Sequence, residues 1–252
     1  MVNELNKITD HPRIGISASE YQRIDTAKRF FEGNFPDVKY RNTVGALRQR
    51  PYVSLNMAQV VSRRLASIIF NEKATVPVAG PSTAWLDDFL NNNDFNKNFE
   101  RYLESALALG GLAMRPYWNK AKNQMAISWI QAPVFYPLNS NTSEVSEAAI
   151  ATVTTETEGQ RQVFYTLLEF HEWQGSNDDG TNHYVVRNEL YRSEHADVVG
   201  VKIPLASYDK YADLEPETIV SGLERPLFSY LKPAEFNNKD LTSPLGLSIF
   251  DN

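Results

Sequence analysis

At Gly110-Gly111 the spacing of apolar residues switches from a period near 3.6 to a period of 2, and that switch limits the fold more than any other feature. Before it, Phe95, Phe99, Tyr102, Leu103, Ala106 and Leu107 fall on one face of a helix expected over 95–109. After it, Leu112–Trp118 and Met125–Ile130 alternate and read as a hairpin around residues 119–124. A meander follows, with strands near 146–157, 161–174 and 182–194 and turns at Glu158-Gly159-Gln160 and Gly175–Gly180. Helices first and an antiparallel sheet after them define an α+β protein. Symmetric pairing about Asp178 would set Glu169 opposite Arg187 and Trp173 opposite His183.

Other elements are read from caps and periodicity. Residues 18–32 form an amphipathic helix with Ser19 as cap, Tyr21, Ile24, Ala27, Phe30 and Phe31 inward, and Gly33 just past its end. Residues 34–53, with prolines at 36 and 51, read as an extended connector. Over Leu55–Asn71 only Gln59, Ser62, Arg63 and Ser67 make a polar stripe, so a helix buried on several sides is expected. A strand-like connector at 74–82, a helix at 83–92, a loop-like stretch at 205–222 and a last strand at Leu227–Leu231 complete the reading. The expected division is a helical part (1–111), a β part (112–235) and a terminal turn (236–252).

That terminal stretch reads as a turn opening into a helix. Ser243 is a good N-cap, Pro244 suits the first helical position, and Leu245, Leu247, Ile249 and Phe250 need a partner. The sequence stops within about two turns, short of the roughly 12–15 residues at which an isolated helix becomes marginal in water. The expectation is a domain cut from a longer protein.

Composition excludes several classes. The 252 residues include no cysteine, so there is no disulfide framework, thiolate zinc site or cysteine nucleophile. Met1–Lys28 is polar and charged, without the apolar core of a signal peptide, and no run of about 18 apolar residues appears. A soluble, non-membrane protein made in the cytosol is expected. The net charge of −6 is uneven: residues 1–72 carry +4 and the remainder −10. Between Asp37 and Glu72 there is no acidic residue, while Arg41, Arg48, Arg50, Arg63 and Arg64 are basic. Such a patch can face an anionic partner or a neighbouring subunit, or form a solvated face with ion pairs to the acidic remainder.

No catalytic constellation emerges. Gly-x-Gly-x-x-Gly, a Gly-Lys-Ser/Thr phosphate loop and Gly-x-Ser-x-Gly are all missing. Asp87-Asp88 read as first-turn helix charges and Asp178-Asp179 as turn formers. Glu169 and His171 share a strand face with Trp173, and His183 lies near them across the expected hairpin. Two imidazoles and a carboxylate can bind zinc, but the better reading is strand histidines beside aromatics on a half-exposed face. No catalytic, cofactor or metal site is assigned. The aromatic-rich sheet, with Tyr117, Trp118 and Trp129, offers an alternative function as a non-enzymatic carbohydrate- or protein-binding module.

Four segments in order carry a family resemblance: Leu65-Ala-Ser-Ile-Ile-Phe-Asn-Glu72, Leu103-Glu-Ser-Ala-Leu-Ala-Leu-Gly-Gly-Leu-Ala-Met-Arg-Pro-Tyr117, Trp129-Ile-Gln-Ala-Pro-Val-Phe-Tyr-Pro137, and Asn237-Asn-Lys-Asp-Leu-Thr-Ser-Pro-Leu-Gly-Leu-Ser-Ile-Phe250. From about residue 40 to the end the chain resembles the portal proteins of tailed bacteriophages, in the subgroup of long-tailed phages and prophages of Gram-positive bacteria. The resemblance implies a non-enzymatic subunit of a dodecameric head-tail connector ring at a capsid vertex, assembled in the host cytoplasm and carried in the virion. It implies terminase, scaffold, capsid and head-completion proteins as partners, with double-stranded DNA passing through the ring. It implies no cofactor, and it reads this chain as a wing-type domain that stops where the stem helix would begin.

Overall fold

The computed structural model describes residues 4–71, 74–75, 77, 83–141, 144–175, 182–234 and 236–251. Most of the 74–82 connector and the turn carrying Asp178-Asp179 lie outside the described residues. The architecture is α+β, as the period switch indicates. Four helices, α1 (Ala18–Glu32), α2 (Met57–Ile69), α3 (Thr83–Asn92) and α4 (Phe95–Leu109), accompany three antiparallel sheets.

Helix ends follow local chemistry. The Ser17 hydroxyl caps α1 by accepting from the Ser19 N–H at 3.3 Å, two residues before the expected cap, and Gly33 closes the helix in the left-handed conformation. Phe31 is half-buried as expected, whereas Phe30 is exposed. In α3, Asp87 and Asp88 fall beyond the first turn, so they do not act as first-turn charges.

The main sheet orders β1 (Glu4–Leu5), β10 (Gly200–Ile203), β9 (Asn182–Ser193), β8 (Arg161–Gly175), β7 (Val145–Glu158) and β6 (Phe135–Ser140). A further strand, β11 (Glu217–Val220), also pairs with β9 inside the stretch expected to be a loop. The second sheet is β12 (Ser229–Leu231), β4 (Leu112–Asn119) and β5 (Gln124–Gln131). The third is a hairpin of β2 (Val38–Arg41) and β3 (Leu47–Arg50) within the expected connector. There the Asn42 side-chain oxygen accepts from the Val44 and Ala46 N–H groups and folds the turn.

Both faces of the main sheet are buried. Leu168, Phe170, Tyr191 and Ala149 pack under Leu5, Ile14 and Tyr136 on one side. On the other, Ile150, Ala148 and Phe135 meet Ala113, Ile130 and Phe228 of the second sheet, while Tyr165, Leu167 and Leu190 meet Leu205 and Tyr211. This double burial fixes the β8–β9 register one residue away from the symmetric expectation. Phe170 stands opposite Arg187, Trp173 opposite Tyr184 and Gln174 opposite His183. The offset gathers Tyr191 with Leu168 and Phe170 on one face, and a one-residue slip of β9 would turn Tyr191 to the other.

Two expectations are overturned. α2 is not buried on several sides. It packs on α4 through Ser62 and Ala66 and leaves Met57, Val60, Leu65, Ile68 and Ile69 exposed. Small side chains let the two helices approach closely, and proximity rather than hydropathy sets the inward face. The helix expected from Ser243 does not form either, and residues 244–248 run without regular structure. Their apolar side chains already have partners: Leu245 packs with Ile24, Ala108, Leu109 and Ala132. Among the described residues no helix is long and apolar enough to cross a membrane.

Candidate functional site

The sequence segments around Gly110 and Gly246 meet in space. Where α4 ends, Gly110 adopts φ 87, a conformation that side chains disfavour. A Cβ there would lie 2.7 Å from the Gly246 carbonyl oxygen and 2.8 Å from the Leu247 carbonyl carbon. A Cβ on Gly246 would stand 2.2 Å from the Gly110 oxygen, so the two backbones cross in direct contact. The Ile249 N–H donates to the Leu107 carbonyl at 3.0 Å and holds the crossing.

A buried ionic cluster clamps the same segment to α1. Glu20 is 4% exposed. Its Oε2 accepts from Ser243 Oγ (2.7 Å), Asn237 Nδ2 (2.9 Å) and Arg23 Nη2 (3.0 Å). Arg23 also donates to the Gly246 carbonyl at 3.1 Å and to the Asp251 carboxylate. Asn237 uses its remaining capacity on Leu245 O, Lys239 N and Asp240 N. Burial works against the Arg23 charge, but Glu20 and Asp251 outweigh it and push its pKa up. Every partner of this cluster is a fixed group, so it behaves as a lock rather than a reactive centre.

A second polar network sits between the two larger sheets. His171, Glu169 and Trp173 share a face, as their alternation requires, but His171 is buried rather than half-exposed. His183 stands opposite Gln174 and therefore faces the other side, with Nδ1 3.4 Å from Ser221 Oγ. The pair of imidazoles envisaged as a metal site is thus split across the sheet. Among the described residues no group of three His, Asp or Glu side chains is arranged to hold a metal. His171 instead belongs to a chain of hydrogen bonds. The Leu227 N–H donates to the Tyr184 hydroxyl (3.1 Å) and the hydroxyl to His171 Nδ1 (2.9 Å). His171 Nε2–H donates to Glu169 (2.6 Å), which also pairs with Arg115. These partners select the neutral Nε2–H tautomer.

Two buried groups make the fold acid-sensitive. Burial, helped by the Arg115 charge, pushes His171 down to about 3. Burial pushes Glu189 up, but donation from His11, Lys202 and Tyr191 outweighs it and holds the carboxyl down to about 2. Both groups bind fewer protons folded than unfolded, so stability falls with pH. His171 acts between about 6.5 and 3, and Glu189 between about 4.5 and 2. Urea denaturation from pH 7 to pH 4 is expected to lose up to about 1.4 kcal/mol per pH unit for each such proton. His171→Gln should flatten the upper part of that slope; an unchanged slope would contradict a neutral buried imidazole.

The five arginines singled out in the sequence divide between two elements. Arg41, Arg48 and Arg50 share the exposed β2–β3 hairpin, with the Arg50 guanidinium 5.8 Å from the Tyr40 ring. Arg63 and Arg64 lie on α2, where Arg63 pairs with Glu104 of α4 at 3.4 Å. Arg41, Arg48, Arg50 and Arg64 have no ion-pair partner among the described residues. The aromatic surface envisaged on the sheet is differently used. Trp129 stacks on Tyr102 at 5.2 Å and lies against Phe95 and Phe99 of α4, which leaves Trp118 exposed without it. The buried Glu20 cluster had no clear local signature: Arg23 is three residues away on the same helix, but Asn237 and Ser243 lie more than 200 residues away.

No curated protein matches the chain. A family model described as phage portal protein, SPP1 Gp6-like, matches residues 10–252. It spans the segments that cross at Gly110 and Gly246, the ionic clamp and both basic elements. The chain belongs to the SPP1 Gp6-like family of phage portal proteins.

Proposed function

We propose that this chain is a non-enzymatic subunit of a dodecameric portal ring, the head-tail connector through which phage DNA is packaged and ejected. The observation that carries the reading is the family match over residues 10–252. The location that follows is the capsid vertex of the virion, with assembly in the host cytoplasm. Terminase, scaffold, capsid and head-completion proteins are its partners, and double-stranded DNA passes through the ring. The structure is compatible with a building block: its buried charges serve as locks, and its basic hairpin and α2 are presented outward. Arg48 and Arg50 are assigned to the subunit contact. The alternative of a carbohydrate- or protein-binding module loses its best aromatic, Trp129, to packing against α4.

Electron microscopy of the intact protein tests the reading. Rings with a central hole and dodecameric symmetry are expected, and uniform monomers at high concentration would overturn it. Reversing Arg48 and Arg50 to Glu should cut ring yield about tenfold or more, as expected for like charges set against a complementary surface. Unchanged yield would remove these arginines from the contact.

A further inference from the structure

Of the 23 large apolar side chains that are exposed among the described residues, twelve lie between Tyr40 and Ile69. Met57, Val60, Ile68 and Ile69 of α2 are each more than half exposed. Contiguous apolar surface of this kind marks an interaction site. Arg64 on the same helix, and Arg48 and Arg50 on the preceding hairpin, lack ion-pair partners among the described residues, so the charge here is positive. A surface of opposite charge is a better cover than a second copy of the same helix face, which would bring more positive charge to it.

The complementary surface lies on the same chain at the far edge of the main sheet. Residues 209–219 carry Asp209, Asp213, Glu215 and Glu217 against a single Lys210, and they expose Leu214 and Ile219. Asp213 and Glu217 have internal partners in Lys120 and Arg187, whereas Asp209 and Glu215 have none among the described residues. β11 pairs only with β9 among the described strands, so its other edge is open. The sheet path from β11 runs through β9, β8 and β7 to β6, roughly 19 Å at about 4.8 Å per strand. α2 belongs to the β6 side: it packs on α4, and α4 packs on β4 and β5, whose other residues cover β6 and β7. α2 and the acidic edge are therefore distinct surfaces of the chain, associated with different ends of this strand path.

We propose that the α2 face, with Arg64, docks on the β11 edge and the 209–217 stretch of a second copy of this chain, head to tail. Two distinct complementary surfaces on one subunit give a heterologous contact, which closes into a ring when the rotation allows. The proposal rests on the ring reading above and assigns its interface.

These 252 residues contain no cysteine, which allows a direct test with any cysteine elsewhere in the intact protein changed to serine. Ile68→Cys and Ile219→Cys are introduced together into the intact protein, which is treated with a short bismaleimide and resolved under denaturing conditions. A ladder of multimers from the double variant, and none from either single variant, is expected. Rings by electron microscopy without a ladder would overturn the docking and leave the ring reading standing. Crosslinked dimers of Ile68→Cys alone would overturn it in favour of a symmetric contact. Wild-type monomers would overturn the ring reading and the docking with it. Independently, Arg64→Glu should weaken association about tenfold, and Glu215→Lys in the same chain should restore it; loss without restoration counts against the pairing.

Discussion

Gly110→Val should be the most damaging single substitution in this chain, lowering the melting temperature by about 10 °C or more at roughly 2–4 °C per kcal/mol for a domain of this size. Two costs combine. A branched side chain at φ 87 is strained by about 1–3 kcal/mol. Its Cβ would also overlap the backbone of Gly246, Leu247 and Ser248, each atom under 3.0 Å away. Backbone cannot swing aside as a flexible side chain can, so the 244–248 segment must lift from α4. Gly45→Ala is the control: it has a similar φ of 76 but open space around the missing Cβ. It should cost only about 1 kcal/mol. Thermal unfolding followed by circular dichroism compares the two, and equal shifts would show that the crossing of backbones contributes nothing.

Glu20→Leu should come next, at about 3–5 kcal/mol, the range for removing one member of a buried ion pair. The substitution removes one of the two acceptors of Asn237 Nδ2 and the acceptor of the Ser243 hydroxyl, and it leaves Arg23 with Asp251 as its one carboxylate partner among the described residues. The exposed pair of Lys28 with Glu32, 3.8 Å apart on the same helix, provides the contrast. Glu32→Ala should change stability by about 0.5 kcal/mol or less. Limited proteolysis adds a local readout: Glu20→Leu should open cleavage within residues 236–251 before the sheet is attacked. Uniform protection of that segment would mean the cluster is not what holds it.

The parts of this fold that could be read in advance are those whose cause is local. α3 and α4 begin and end where the sequence places them, because Gly110 stops one period and Leu112 starts another. The three long strands of the meander likewise follow from alternation and turn residues. What could not be read depends on partners distant in the chain. The β2–β3 hairpin has only four residues a side and is mostly exposed: Val38-Lys-Tyr-Arg41 alternates, but Leu47-Arg-Gln-Arg50 does not, and no buried face reinforces the signal. α2 turns Ser62 and Ala66 inward, Ala66 against Leu103, Ala106 and Leu107 of α4, and hydropathy alone points the other way. Glu20 reads as an ordinary polar residue of an amphipathic helix paired with Arg23 one turn on, and only the arrival of Asn237 and Ser243 completes the set of donors that makes its burial tolerable. The family segments were legible, yet their meeting at Gly110 and Gly246 was not, since nothing in either segment names the other.

The clamp on α1 also sets an order of events during synthesis. Arg23 and Asp251 are 228 residues apart. At about 5–20 residues per second the ribosome needs roughly 10–50 s to make the second after the first. Through that interval the Glu20 carboxylate must stay hydrated, and α1 cannot reach its final seat against the 237–251 segment. α1, the first of the four described helices, is therefore secured only after α2, α3 and α4 have been made, and a nascent chain exposes the underside of α1 to chaperones until its partner emerges.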